Sequence, residues 1–454
     1  MGDTPRADTA GGIVKHVRPP SDDRLSETLR GASGSFAIKV TSAGLLFISQ
    51  LIFARLLGVE GYGVFVLTLA CLNMVLLVGR LGFDIASVRF VSVYFGSAKW
   101  NLLRGFLNFS YMTTFIASVL GAVALAGGAW LFRESIGAQT VHALWLAGAT
   151  IPLFAILQIN EATLRGLRQI VRSLIPQAIL HPLVLIAAFP ACIFLLGAQA
   201  NARLAMGVYL GATAASFVAV SLMLWRALPP EARAASPDYR GAEWLKTATS
   251  MILLMGFGMI LNQTTTVMVG SLIGTAEAGL FGAATRIANL LQFAIVVVNA
   301  TLAPQMADLY ARSETAELRR IVTFGARLTF AAALTIAIAV LLLGKWILML
   351  MGEEFVAAWP SLVVLALGQL FFAATGPAAM LLNMTGHQMA SSRILALSVV
   401  VNLAFCAALI PAFGVMGAAI SVAVTTVLWC SLMAITATRR LGILPVVTIP
   451  RRRR

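Results

Sequence analysis

The sequence predicts an all-α polytopic membrane protein, with about twelve transmembrane helices in two six-helix lobes related by a parallel internal repeat around a central cavity. Three observations predict it. Of 454 residues, 59% are hydrophobic and only 11% charged, with a mean hydropathy of +0.89; an average soluble domain carries about 25% charged residues. Twelve apolar stretches each approach the roughly 20 residues that a spanning helix needs. The 33 Lys and Arg residues, against 18 Asp and Glu, segregate to alternate connections between those stretches.

The spans fall at approximately 36–57, 63–83, 106–131, 139–160, 173–197, 203–225, 247–272, 278–303, 320–343, 359–382, 393–411 and 414–437. No strand-type alternation persists, which argues against a β-barrel. With the N-terminus inside, the inner segments hold 25 of the cations, and the outer connections hold only Arg133, Arg203 and Lys345. Basic residues collect in cytoplasmic loops, so this bias predicts that both termini are cytoplasmic. The formal charge of +15 then records topology, and no nucleic-acid partner is expected. Trp100, Trp130, Trp145, Trp225, Trp244, Trp346 and Trp359 lie near span ends, as an interfacial belt would place them, and Trp429 lies deeper.

Residues 1–34 are polar, lack an apolar core with a cleavage site, and read as a disordered cytoplasmic tail rather than a signal peptide. The segment 227–245, with Pro229, Pro230 and Pro237, reads as a cytoplasmic linker between an N-terminal lobe (35–226) and a C-terminal lobe (246–438); 439–454 is a basic cytoplasmic tail. No connection is long enough for a folded catalytic domain. Cys71, Cys192, Cys406 and Cys430 sit in apolar runs and read as buried hydrophobes. The four histidines have no metal-ligand spacing, and there is no P-loop. An enzyme is therefore not expected, nor a metal or cofactor.

The two halves align. Leu57 to Phe65 follows the first span and Ile273 to Phe281 follows the seventh. Gly58, Gly63 and Phe65 pair with Gly274, Gly279 and Phe281 at one offset, which also pairs Asn73 with Asn289, Tyr94 with Tyr310, Ser97 with Ser313 and Leu102 with Leu318. Six spans per half make the repeat parallel, a transporter plan in which lobes rock about a shared cavity. Pro176, Pro182 and Pro377 are candidate hinges, because proline removes a backbone hydrogen bond and kinks a helix. Gly207 and Gly211 form a GxxxG, read as a close-packing face.

Five cations fall inside spans: Lys39, Arg55, Arg80, Arg286 and Arg327. Intramembrane charge is costly and usually faces a cavity or a partner. No acid lies well inside a span; Asp84 and Glu161 sit at inner ends. That pattern predicts a cationic cavity for an anionic ligand, with Arg286 and Arg327, two turns into their helices, as the sharpest candidates and Lys39 and Arg80 closer to the cytoplasmic ends. Gln50 shares a helical face with Lys39, Ala43 and Leu46, and Asn289 shares one with Arg286. Asn262 and Gln263 open a polar block, Asn262 to Thr266, at mid-membrane depth in the seventh span.

Leu56-Leu57-Gly58-Val59-Glu60-Gly61-Tyr62-Gly63-Val64-Phe65 resembles the LLGxxxYGxF turn of bacterial polysaccharide-export flippases, which belong to the multidrug/oligosaccharidyl-lipid/polysaccharide exporter superfamily. Leu81 to Phe90, Gly279 to Ile287, the Asn383-Met384-Thr385-Gly386 turn and Phe413 to Ala419 resemble further segments of that family, in order, over most of 35–438. The resemblance implies an alternating-access flippase in the bacterial inner membrane. It would carry an undecaprenyl-pyrophosphate-linked oligosaccharide for surface polysaccharide, among membrane lipids and alongside other polysaccharide-assembly proteins. The alternative is an ion-coupled multidrug or metabolite exporter of the same superfamily, for which an acid in the first or seventh span would be the mark.

Overall fold

The computed structural model describes residues 22–445, and nearly all of them are helical. Eight helices are individually long and apolar enough to cross a membrane, and the bent pair Gly241–Ile252 and Gly256–Leu272 makes a ninth. Two of them are hairpins. In the helix Asp22–Gly79 the backbone leaves helical geometry at Gly58 (φ 67°). The Tyr62 hydroxyl donates to Gln50 Oε1 at 2.9 Å, and the rings of Phe53 and Phe65 stack 4.9 Å apart. Twelve residues of continuous helix would separate each pair by about 18 Å, so the chain folds back at Gly58. Gln388–Leu441 does the same at Gly414 (φ 59°), where Asn402 Nδ2 reaches Thr425 Oγ1 at 3.4 Å. Counting both arms of each hairpin, and the eighth span as the broken pair Thr275–Ala288 and Gln292–Ala311, gives the twelve crossings. The protein is a multi-pass membrane protein.

The ends of the bundle are built differently. At one end every connection turns through a glycine of positive φ: Gly58, Gly137, Gly197, Gly274, Gly352 and Gly414. At the other end four turns share one hydrogen-bond pattern. Lys99, Gln169, Glu314 and His387 each donate a backbone N–H to the carbonyl five residues earlier, at 2.8–3.0 Å. The preceding residue is left-handed in each case, namely Ala98, Arg168, Ser313 and Gly386. This is the Schellman closure of a helix C-terminus. The repeat is thus visible in backbone geometry, and it corrects one detail. The turn at 94–99 matches that at 309–314, so Tyr94 corresponds to Leu309 rather than Tyr310. The register slips by one because the first lobe breaks at Leu81 and Gly82 (φ 51° and 78°), whereas the second tightens into a 3-10 turn over Asn289–Leu291.

Spans one, two and four form the interior of the first lobe, and span three faces outward with Met112, Phe115, Ile116 and Leu120 exposed. Burial also revises the tryptophan belt. Trp130, Trp145, Trp225 and Trp346 are exposed, but Trp244 is fully buried. It packs against Phe106 and Phe109, and its indole N–H donates to the Tyr94 hydroxyl at 2.9 Å. The start of span seven is therefore pinned to the first lobe before bending by 51° into the second. The first helix begins at Asp22, inside the segment read as a tail; residues 1–21 of that tail and 446–454 of the basic tail lie outside the described residues. A Cβ at Gly207 or Gly211 would meet nothing within 4 Å among the described residues, so the GxxxG is not a close-packing point there.

Among the glycines that do pack closely are Gly63 and Gly279, the pair aligned by the repeat. A Cβ at Gly63 would overlap the Thr275 carbonyl, and one at Gly279 would overlap the Val59 carbonyl and meet Gly63 N at 3.1 Å. The lobes touch there, backbone to backbone, at the glycine-turn end.

Candidate functional site

Below that contact the lobes part around a cavity of about 390 Å³. One wall is the first span, whose Ala43, Leu46, Phe47 and Gln50 lie on one helical face. The opposite wall comes from the second lobe, with Arg286, Asn289, Gln292 and Phe293. Asn73, the repeat mate of Asn289, lines the same cavity, so the pseudo-two-fold relation runs through it. Gln177, His181 and Tyr209 complete the polar lining.

Arg286 is exposed to this space and forms no ion pair among the described residues. No carboxylate lines the cavity among the described residues. Its repeat mate is Ala70, so the charge belongs to one lobe only. Much of the remaining lining is held. Gln50 accepts from Tyr62, Gln292 Nε2 donates to Asn289 Oδ1 at 3.2 Å, and His181 Nε2 lies 3.3 Å from Thr213 Oγ1. The arrangement offers an anion one guanidinium, with its planar fork of donors, among neutral amides.

A second cavity, of about 560 Å³, lies within the C-terminal lobe. Asn289 and Gln292 line both and form the partition between them. Asn262 and Thr265 of the seventh span face it, and Thr265 donates to Asn402 Oδ1 at 3.0 Å. The first cavity is its counterpart in the repeat: Leu46, Leu69 and Asn73 line the one, and their repeat mates Asn262, Thr285 and Asn289 line the other. Beside the first cavity Phe53 stacks between Phe65 and Phe189, and Tyr209 of its lining touches Phe65, Phe154 and His181.

The other expected residues lie elsewhere. Arg80 lines neither cavity. It pairs with Asp84 at 3.0 Å, and it donates to Leu76 O, Gln158 Oε1 and Met259 Sδ. The expectation that the intramembrane cations lack acidic partners therefore fails for Arg80, because Asp84 stands one helical turn away. Lys39 continues the Gln50 face one turn beyond Ala43 and is exposed. Gln263 is half-buried and lines neither cavity. Arg327 lies on the exposed face of span nine with Phe324 and Leu328, also outside both linings. Pro176 and Pro182 flank a π-helical turn, Pro176–Leu180, and Pro377 follows the left-handed Gly376 at the end of Trp359–Ala374. Gln177, His181 and Tyr209 had no sequence signal beyond being polar within a span, while Gln292 stands one turn from Asn289.

The family described as polysaccharide biosynthesis protein matches residues 28–310, more than half of the chain, and the MatE family matches 247–408. No curated protein matches in sequence. Among solved structures, a multidrug resistance MATE family transporter of the MOP superfamily in its inward-facing conformation superposes with a TM-score of 0.75 at 14% identity, over 88% of this chain and 94% of that one. An outward-facing structure described in the same terms gives 0.59 at 14% identity, over 91% and 95%. The lipid II flippase MurJ, in an inward closed conformation, gives 0.69 at 12% identity, over 90% and 87%. The fold is that of the MOP-superfamily transporters.

Proposed function

Because the chain belongs to the polysaccharide biosynthesis protein family, and its fold is that of a transporter rather than an enzyme, we propose that it is a flippase for an undecaprenyl-pyrophosphate-linked oligosaccharide. In this reading it moves the lipid from the cytoplasmic to the outer leaflet of the bacterial inner membrane. The observation that carries the reading is Arg286, a guanidinium that faces an interlobe cavity and has, among the described residues, no ion-pair partner and no carboxylate beside it in the lining. A diphosphate is a doubly charged, multi-oxygen acceptor that suits a guanidinium fork. A cationic drug would meet repulsion there, which disfavours the exporter alternative.

Sidedness follows from the basic residues. The four Schellman turns lie at the cation-rich end, so that end is assigned to the cytoplasm. The Gly63–Gly279 contact then seals the outer face, and the cavity lies on the cytoplasmic side of the seal. Transport is a rocking of the lobes that opens this glycine contact and closes the inner end. Pro176, Pro182 and Pro377 sit at helix irregularities that can absorb the motion, and Lys39 lies at the cavity's cytoplasmic mouth. The test is complementation. A deletion strain carrying Arg286→Ala is expected to hold the protein in the membrane yet make no surface polysaccharide. Normal polysaccharide from that variant would count against the reading.

A further inference from the structure

The C-terminal chamber has a chemistry of its own. Among the described residues, none that lines it carries an ionisable side chain. What lines it are amides and hydroxyls, together with the indole of Trp429, whose ring lies 4.9 Å from that of Phe372. Several of these polar groups are unspent. Among the described residues Thr285 Oγ1, Gln369 Oε1 and Ser391 Oγ are buried without hydrogen-bond partners, and Ser391 is only 5% exposed. A buried polar group left unpaired costs free energy, and such groups in a native fold need an explanation. A ligand rich in hydroxyls supplies one. Groups that both donate and accept suit a polyol, and an aromatic face suits the C–H face of a sugar ring. The volume is in the range of roughly 300–1,000 Å³ that small-molecule sites occupy.

From the chamber's position behind the Asn289–Gln292 partition, one step from Arg286, we infer that it is a specificity site for the glycan of the substrate and that it takes uncharged sugar residues. This rests on the flippase reading and deepens it: Arg286 holds the diphosphate while the first sugars turn into the C-terminal lobe. The lack of a cation in the lining predicts that an acidic sugar is disfavoured, since its carboxylate would be desolvated without a partner.

The test uses the full-length protein in nanodiscs and three probes: an undecaprenyl diphosphate without sugar, one bearing a neutral disaccharide, and one bearing a disaccharide with a terminal hexuronate. Wild type is expected to bind the neutral glycolipid about tenfold more tightly than the sugar-free lipid, the equivalent of one or two hydrogen bonds. The hexuronate lipid should gain less. Gln369→Leu combined with Ser391→Ala lies outside the Arg286 cavity. It should abolish the sugar increment, leave sugar-free binding within about twofold, and keep or raise thermal stability, because it deletes groups that are unpaired in the free protein. An absent increment in wild type, or one unchanged in the double variant, overturns the inference even if Arg286→Ala abolishes sugar-free binding. Sugar-free binding that ignores Arg286, beside a chamber-dependent increment, would instead sink the cationic-cavity reading and leave this one standing.

Discussion

Arg286 is where the chemistry concentrates, and its neighbourhood makes the sharpest residue-scale prediction. Replacement by Ala should cost about 2 kcal/mol of diphosphate binding, about thirtyfold in Kd. Lys should recover only part of that, because it keeps the charge but loses the two-pronged fork. Titrating a nanodisc preparation with a prenyl diphosphate reads both variants. Arg327→Ala, on the exposed face of span nine, should leave that affinity unchanged. The sequence made Arg286 legible because a charge inside a span is rare and costly. It could not separate Arg286 from Arg327, because depth along a helix says nothing about azimuth, and only packing decides which residues a helix turns inward. Arg80 shows the same limit, as its Asp84 partner was visible in the sequence but the Gln158 and Met259 contacts that lock it in place were not.

At the scale of elements, two joints control the geometry. Gly63 and Gly279 bring two helices together backbone to backbone, and no side chain fits there. Gly279→Val should therefore hold the glycine-turn end open. In a cysteine-free background carrying Asn73→Cys, a membrane-impermeant maleimide added outside is expected to label the Gly279→Val form and spare the parent. Equal labelling would remove the glycine contact as the seal. The second joint is Trp244. Trp244→Ala should lower stability in detergent by about 3 kcal/mol, read as a loss of thermal unfolding temperature, because it empties a fully buried indole site and orphans the Tyr94 hydroxyl. Trp244 was misread as a belt residue because position near a span end does not reveal which side of the helix meets lipid. The glycine joint was half legible: the repeat aligned Gly63 with Gly279, but an alignment of two segments does not state that they touch.

For the whole molecule, length and hydropathy were enough to fix the architecture. Twelve apolar stretches with an alternating charge bias leave little room for another topology, and the hairpin turn at Gly58 falls between two predicted spans while that at Gly414 falls on the first residue of the twelfth. The C-terminal chamber was not legible, because a cavity is an absence. Its polar lining depends on the second lobe placing Asn262 and Thr285 where the first has Leu46 and Leu69. The two lobes are alike in backbone and unlike in filling. Arg286 faces the cavity of the first, and Asn289 and Gln292 stand between the two.

The most direct test of this account is translocation itself. Purified protein is reconstituted into liposomes with a fluorescent prenyl-diphosphate oligosaccharide, and the fraction of label reachable by a membrane-impermeant quencher is followed with time. Wild-type protein should speed equilibration between leaflets well above protein-free liposomes, Arg327→Ala should match wild type, and Arg286→Ala should fall to the protein-free rate. Equilibration by Arg286→Ala at the wild-type rate would contradict the claim that this cavity carries an anionic lipid.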